Sequence, residues 1–168
     1  MELSHQFDVA SFVYASTWSV YGDLENGLGV ETDDCERPLS LYAASKKTDE
    51  LLAHAYSYTH KMQTVWLRFF NVVWPRWRPD SALYIFTKNI LEWKPIKLHN
   101  AGEMWRNNTY VGDIVDGIVR SLNYDNGGKY DIFNLGNERL VKLSYFLEYI
   151  ERTLGKAAEV VNVDMIVW

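Results

Sequence analysis

The sequence predicts an α/β fold built on a parallel sheet, and three observations predict it. Phe12-Val13-Tyr14-Ala15 and Val65-Trp66-Leu67-Arg68-Phe69-Phe70 are compact apolar runs of the kind used by strands buried on both faces. Between them, residues 41–58 carry Leu41, Ala44, Leu51, Leu52 and Ala55 at helical spacing. A strand, a long helix and a further strand in that order read as a βαβ unit, for which a right-handed crossover is expected.

The later chain keeps alternating. Residues 81–92 read as a helix with Asp80 as its N-cap, and 96–98 as a short strand. Residues 113–122 place Ile114, Ile118 and Leu122 on one helical face, and 130–135 are strand-like. Residues 144–154 read as a helix capped by Ser144, with Leu147, Ile150 and Leu154 on one stripe, and 160–163 as a last strand. Turns are expected at 22–29, 33–38, 75–80, 99–102 and 125–129, where Gly, Pro, Asn and Asp collect.

Composition narrows the function classes. The chain has 168 residues, with 17 Lys and Arg against 22 Asp and Glu, a formal net charge of −5. With 48% hydrophobic and 23% charged residues it has the makings of a packed core and lacks the signature of disorder. The acidic balance argues against a broad nucleic-acid-binding surface. No apolar run has the length of a membrane span; even 64–74 is broken by Arg68 and Asn71. The first residues lack the basic-then-apolar layout of a secretory signal, and the single Cys35 cannot form an internal disulfide, so a cytoplasmic protein is expected. His5, His54, His60 and His99 show no metal-ligand spacing, so no metal site is expected.

Three segments carry chemistry. In Tyr42-Ala43-Ala44-Ser45-Lys46 the tyrosine and lysine share a helical face. An ammonium beside a phenol favours the phenolate, which suits a group that removes and returns a proton. So short a pattern also arises by chance as a surface pair. Ser16, Thr17 and Ser19 follow the first strand, at the carboxyl end where open parallel sheets bind ligands. Ser and Thr there also cap turns by bonding their own backbone. Leu67-Arg68-Phe69-Phe70-Asn71 ends the next strand, and alone it reads as a core strand with a turn asparagine.

In this order the segments resemble the NAD-dependent epimerase/dehydratase family of extended short-chain dehydrogenases/reductases. Within that family the chain is most similar to the UDP-glucuronate 4-epimerase branch. The resemblance runs from about Phe12 to about Gly155, on Phe12 to Ser16, Val20-Tyr21-Gly22, Leu41 to Lys47, Glu50 to His54, Leu67 to Phe70 and Arg78-Pro79-Asp80. It implies a partial NAD-binding Rossmann fold, its C-terminal strands and helices, in residues 1–75. It implies a mixed segment with part of the small substrate-binding domain in 76–168. It implies a sugar-nucleotide 4-epimerase acting on UDP-glucuronate or a UDP-hexose, with hydride and proton leaving and returning at C4 through a 4-keto sugar. Tyr42 would be the base, Lys46 would bind the nicotinamide ribose, and Thr17 would bond the C4 hydroxyl. Phe69 would lie near NAD, with Ser19, Asn71, Arg78 and Arg106 at the substrate. Family members are often homodimers through the helix that here bears Tyr42 and Lys46. The alternatives are a related reductase or decarboxylase, or a non-catalytic fragment acting as an interaction module. Trp18 and Ser19 stand where dehydratases typically carry an Asp-Glu pair, which argues against a 4,6-dehydratase.

The chain also departs from the family pattern. None of its ten glycines forms the Gly-x-x-Gly-x-x-Gly loop that meets the cofactor pyrophosphate. The expectation is therefore a chain truncated at both ends relative to the family. Trp74, Trp77 and Trp93 occupy positions where the family usually has glycine, and Asn107 and Asn108 replace an Asp-aromatic pair after Arg106. Trp18 beside Thr17 is expected to crowd the sugar pocket unless it packs elsewhere.

Overall fold

The computed structural model describes residues 1–23, 29–75 and 78–164. Part of the expected turn at 22–29, and Trp77, lie outside the described residues. Along the chain the elements are α1 (Glu2–Gln6), β1 (Ser11–Thr17), α2 (Leu41–His60), β2 (Gln63–Phe69), β3 (Asn71–Val73), α3 (Ala82–Leu91) and β4 (Ile96–His99). They continue with β5 (Trp105–Arg106), β6 (Asn108–Tyr110), α4 (Val111–Leu122), β7 (Tyr130–Leu135), β8 (Val141–Lys142), α5 (Leu143–Leu154) and β9 (Val160–Val163). The chain forms two compact units, Met1–Val72 with Thr109–Asn137, and Val73–Asn108 with 138–164 of the described residues.

The first unit holds a three-stranded parallel sheet in the order β1-β2-β7. Its register runs from Ser11↔Gln63 to Thr17↔Phe69 and from Thr64↔Tyr130 to Phe69↔Leu135. The predicted βαβ unit is therefore present as β1-α2-β2. Central β2 buries Val65, Trp66, Leu67 and Arg68, as expected of a strand covered on both faces. Helix α2 grips the face bearing Tyr14 and Ser16 through side-chain hydrogen bonds. Helix α4 lies on the other face, where a Cβ on Gly117 would stand 2.7 Å from Leu135 Cδ2. Glycine at 117 thus permits the close helix–strand approach.

Helix α2 starts where Ser40, in extended conformation, accepts a hydrogen bond from the Ala43 amide at 3.1 Å. It stops at Lys61, which takes the left-handed conformation with φ 56°. Replacing the Ser40 cap by alanine should lower stability by about 1 kcal/mol, read as a shifted urea midpoint; an unmoved midpoint would show that the cap contributes nothing. The buried face of α2 is Ala43, Glu50, Ala53 and Ser57. This corrects the expected stripe, because Leu41 is 93% exposed and Leu51 and Leu52 lie out in solvent as well. Small side chains let the helix approach the sheet, and the bulky leucines take the opposite side. A similar rotation affects α4, where Ile114 and Ser121 are buried and Leu122 is exposed.

The second unit pairs β4 with β9 in parallel, Ile96↔Val160 to His99↔Val163, and β5 with β8 antiparallel. Its core joins Phe86 and Ile90 of α3, Ile96 and Leu98 of β4, and Leu147 and Ile150 of α5, with Leu154 packed against them. The predicted α5 stripe is the one that packs. The capping expectations need correction. Ser81 caps α3, accepting from the Tyr84 amide at 3.3 Å, and Asp80 stands one residue outside. Helix α5 begins at Leu143 with no side-chain cap, so Ser144 is already inside the helix. Instead the Leu143 amide donates to the Met104 carbonyl at 2.8 Å. Trp93 has φ 56°, a left-handed conformation natural to glycine and worth about 1–2 kcal/mol of strain for other residues. Its exposed indole lies under the Lys156 ammonium, 4.6 Å from the ring centroid.

Candidate active site

The carboxyl end of β1 delivers Ser16 and Thr17 side by side, and the sheet sends them opposite ways. Thr17 ends the strand and caps the 3-10 turn Trp18–Tyr21. Its Oγ1 accepts from the Ser19 amide at 3.2 Å and donates to the Ser19 hydroxyl at 3.2 Å. Turn-capping is thus what this hydroxyl does here, and it also brings Thr17 and Ser19 together. The turn closes at Gly22, with φ 71°, where a Cβ would fall 2.4 Å from the Arg37 carbonyl oxygen. Trp18 stacks on Phe70 with ring centroids 6.2 Å apart and packs against the cluster of Val20, Tyr21, Cys35 and Phe70. The indole expected to crowd the sugar is held by that cluster.

Ser16 points to α2 and donates to Glu50 Oε1 at 2.6 Å. Glu50 is also bound by Arg68 of β2, Nε to Oε1 at 2.9 Å and Nη2 to Oε2 at 2.8 Å. Both charged side chains are 1% exposed. The Arg68 guanidinium lies 4.6 Å from the Tyr21 ring centroid, and the Tyr21 hydroxyl donates to Asn134 Oδ1 at 2.7 Å. Burial by itself pushes the Glu50 carboxyl up. The hydrogen bonds from Arg68 and Ser16 and the charges of Arg68 and Lys47 outweigh it, and the net displacement is below the usual carboxylate range. Arg68 is held charged: burial disfavours the cation, but Glu50 and Tyr21 more than compensate.

On the same helix face as Glu50, one turn earlier, Lys46 reaches the end of β1. Its Nζ donates to the Tyr14 hydroxyl at 3.0 Å and to the Ala15 carbonyl at 3.2 Å. Tyr42 lies a turn earlier still, is 56% exposed, and its hydroxyl forms no hydrogen bond among the described residues. Phe69 ends β2 directly beside Thr17 in the register, and half-buried Asn71 opens β3. The first unit therefore carries Thr17, Ser19, Tyr42, Lys46, Phe69 and Asn71. Arg78 and Arg106 belong to the second unit. There Arg78 pairs with Asp80 at 3.2 Å on the surface, and exposed Arg106 donates to the Trp105 carbonyl at 3.0 Å.

Ser16, expected among the strand-end hydroxyls, turns instead to Glu50, and the sequence pointed to no role for Tyr14, Glu50 or Arg68. A signal for the last pair was present. An arginine inside a buried apolar strand requires a counter-charge, and Glu50 follows Lys46 by one helical turn. Cys35, 2% exposed, is a core thiol whose pKa burial raises, so it is protonated at neutral pH. No group of three metal-ligating side chains occurs among the described residues. No described helix is long and apolar enough to cross a membrane.

A parallel sheet crossed by a Tyr-x-x-x-Lys helix, with the lysine reaching the carboxyl end of a strand, defines a Rossmann-like dehydrogenase/reductase scaffold. The chain belongs to the NAD dependent epimerase/dehydratase family, whose model matches residues 1–136. It is 45% identical over 158 residues to an uncharacterised protein of Methanocaldococcus jannaschii, covering 94% of this chain and 48% of that protein. It is 38% identical to UDP-glucuronate 4-epimerase 1 of Arabidopsis thaliana, covering 92% of this chain and 39% of that enzyme. Among solved structures, UDP-glucuronic acid 4-epimerase from Bacillus cereus in complex with UDP-glucuronic acid and NAD superposes with a TM-score of 0.89 at 30% identity. That match covers 98% of this chain and 52% of the Bacillus cereus chain. The chain spans about half the length of the curated relatives it matches.

Lys46 commits two of its three N–H groups to the Tyr14 hydroxyl and the Ala15 carbonyl, and the third bonds no described residue, which leaves one donor of the kind a ribose hydroxyl would accept from. A glycine loop for the pyrophosphate is not among the glycine spacings of this sequence.

Proposed function

We propose that this chain carries the catalytic half-site of an NAD-dependent sugar-nucleotide 4-epimerase acting on UDP-glucuronate or a UDP-hexose. The observation that carries the reading is Lys46 fixed at the carboxyl end of β1, one helical turn from exposed Tyr42 and two residues from Thr17 along the strand end. NAD, when bound, supplies the acceptor and donor of the C4 hydride. Tyr42 takes the proton from the C4 hydroxyl and returns it, and with the hydride also going back to C4, on the other face, no net oxidation results. Thr17, freed from Ser19, orients that hydroxyl, and Lys46 binds the ribose. Phe69 lies beside the cofactor, Ser19 meets the substrate, Asn71 lies at the sugar–diphosphate end, Arg78 faces the substrate, and Arg106 meets the diphosphate, for which a planar guanidinium fork is suited. Exposed Leu51, Leu52 and Tyr58 on α2 support a homodimer through that helix. A single buried thiol suits the cytoplasm.

A second reading is a non-catalytic scaffold, in which exposed Tyr42 and the surface pair of Arg78 with Asp80 take no part in chemistry. The two separate on NAD. The purified chain is denatured and released NAD is counted per protein; the chain is then given NAD and UDP-glucuronate, and UDP-galacturonate is sought by chromatography. Bound NAD and a C4-inverted product support the epimerase. Absence of both, with NAD taken up by no preparation, leaves the scaffold reading.

A further inference from the structure

Tyr14 is a tyrosine in the interior of a sheet strand, and the family reading gives it no task. Its ring lies against Trp66, the residue beside it in the register, with centroids 4.4 Å apart. Its hydroxyl is used twice: it accepts from Lys46 Nζ at 3.0 Å and donates to Asp49 Oδ2 at 3.4 Å. The Lys46 ammonium also stands 4.5 Å from the Tyr14 ring centroid. Two side chains of α2, three residues apart, thus converge on one phenol of β1.

From this we infer that Tyr14 is a positioning residue for Lys46, an inference that rests on the epimerase reading for its purpose. A lysine side chain is long and flexible, and its ammonium rotates freely on one anchor. One acceptor, the Ala15 carbonyl, fixes one N–H and leaves rotation about that bond. A second, the Tyr14 hydroxyl, removes the rotation and so sets the direction of the third N–H. Asp49 holds the phenolic proton, which turns the oxygen's lone pairs toward Lys46. Trp66 fixes the ring that carries the oxygen. Phenylalanine at 14 would keep the packing and lose the second acceptor.

The test uses the chain itself and needs no turnover. Lysine labelled with 15N at Nζ is incorporated, and the Lys46 ammonium signal is assigned by its loss in Lys46→Arg. In Tyr14→Phe the Lys46 ammonium protons should exchange with water roughly fivefold faster or more, the factor that one net hydrogen bond is worth. Circular dichroism and the thermal midpoint should show a folded chain in both. Asp49→Asn, which leaves Tyr14 in place, should give a smaller acceleration. Unchanged Lys46 exchange in folded Tyr14→Phe would overturn the inference. The epimerase reading is judged separately, by NAD uptake of the wild-type chain.

Discussion

Arg68→Met lowers the free energy of unfolding by about 3–5 kcal/mol, the cost of leaving one member of a buried ion pair alone. The variant removes both hydrogen bonds from Arg68 to Glu50 and strands a carboxylate that is 1% exposed. Among the described residues, Ser16 and Lys47, the latter at 3.6 Å, would remain to it. Because methionine fills much of the arginine volume, the loss reads charge and not a cavity. The double variant Glu50→Leu with Arg68→Met should recover most of the stability, since an apolar pair of similar volume replaces a buried ion pair at little or no cost. Urea unfolding of the single and double variants decides it. If Arg68→Met unfolds at the wild-type midpoint, the pair does not hold the helix to the sheet. The pH dependence has a definite sign. The unfolded chain protonates Glu50 near the ordinary value, about 4.3. The folded chain keeps it ionised to lower pH. Its contribution is complete above that range and is lost as pH falls through the depressed folded value. Arg68→Met should flatten this acid limb.

Tyr42→Phe is the second large effect, and it rests on the proposed function. Turnover should fall by about 100- to 10,000-fold, the usual contribution of a positioned acid–base group, while NAD content stays at the wild-type level. The phenol is more than half exposed and bonded to no other described side chain, so its loss should leave the fold intact. Stopped-time chromatography of the UDP-sugar and the cofactor count on the same preparation give both quantities. Turnover surviving in Tyr42→Phe would remove Tyr42 from the role of base.

The fold was most directly legible where a strand is buried on both faces. Strand β2 lies between two neighbours and under two helices, so its apolar run marks it directly, and β7 and β9 came out with the observed bounds. Helix α2 was legible as a helix but not in its facing. Periodicity arguments assume that bulky apolar residues turn inward, whereas here Ala43, Ala53 and Ser57 allow close approach and Glu50 meets Arg68. The two-residue strands β5 and β8 leave no periodicity to read, and their pairing joins Trp105 to Lys142. Of the site, the tyrosine, lysine and strand-end hydroxyls were visible as a motif. The polar contacts behind them were not, because Tyr14 and Arg68 look like ordinary strand residues, and Ser16 like a ligand-facing hydroxyl, until the register sets them opposite α2.

The interleaving of the two units bears on how the chain acquires its structure. The first unit draws its third strand from residues beyond position 129, and that strand docks on β2 through pairs such as Thr64↔Tyr130. The second unit likewise waits for α5 to cover Ile96 and Leu98. Both hydrophobic interiors thus depend on contacts between distant parts of the sequence, which must close long loops before any stabilisation is gained. During synthesis β1, α2 and β2 would emerge with one flank of β2 uncovered, an intermediate vulnerable to aggregation until β7 is made.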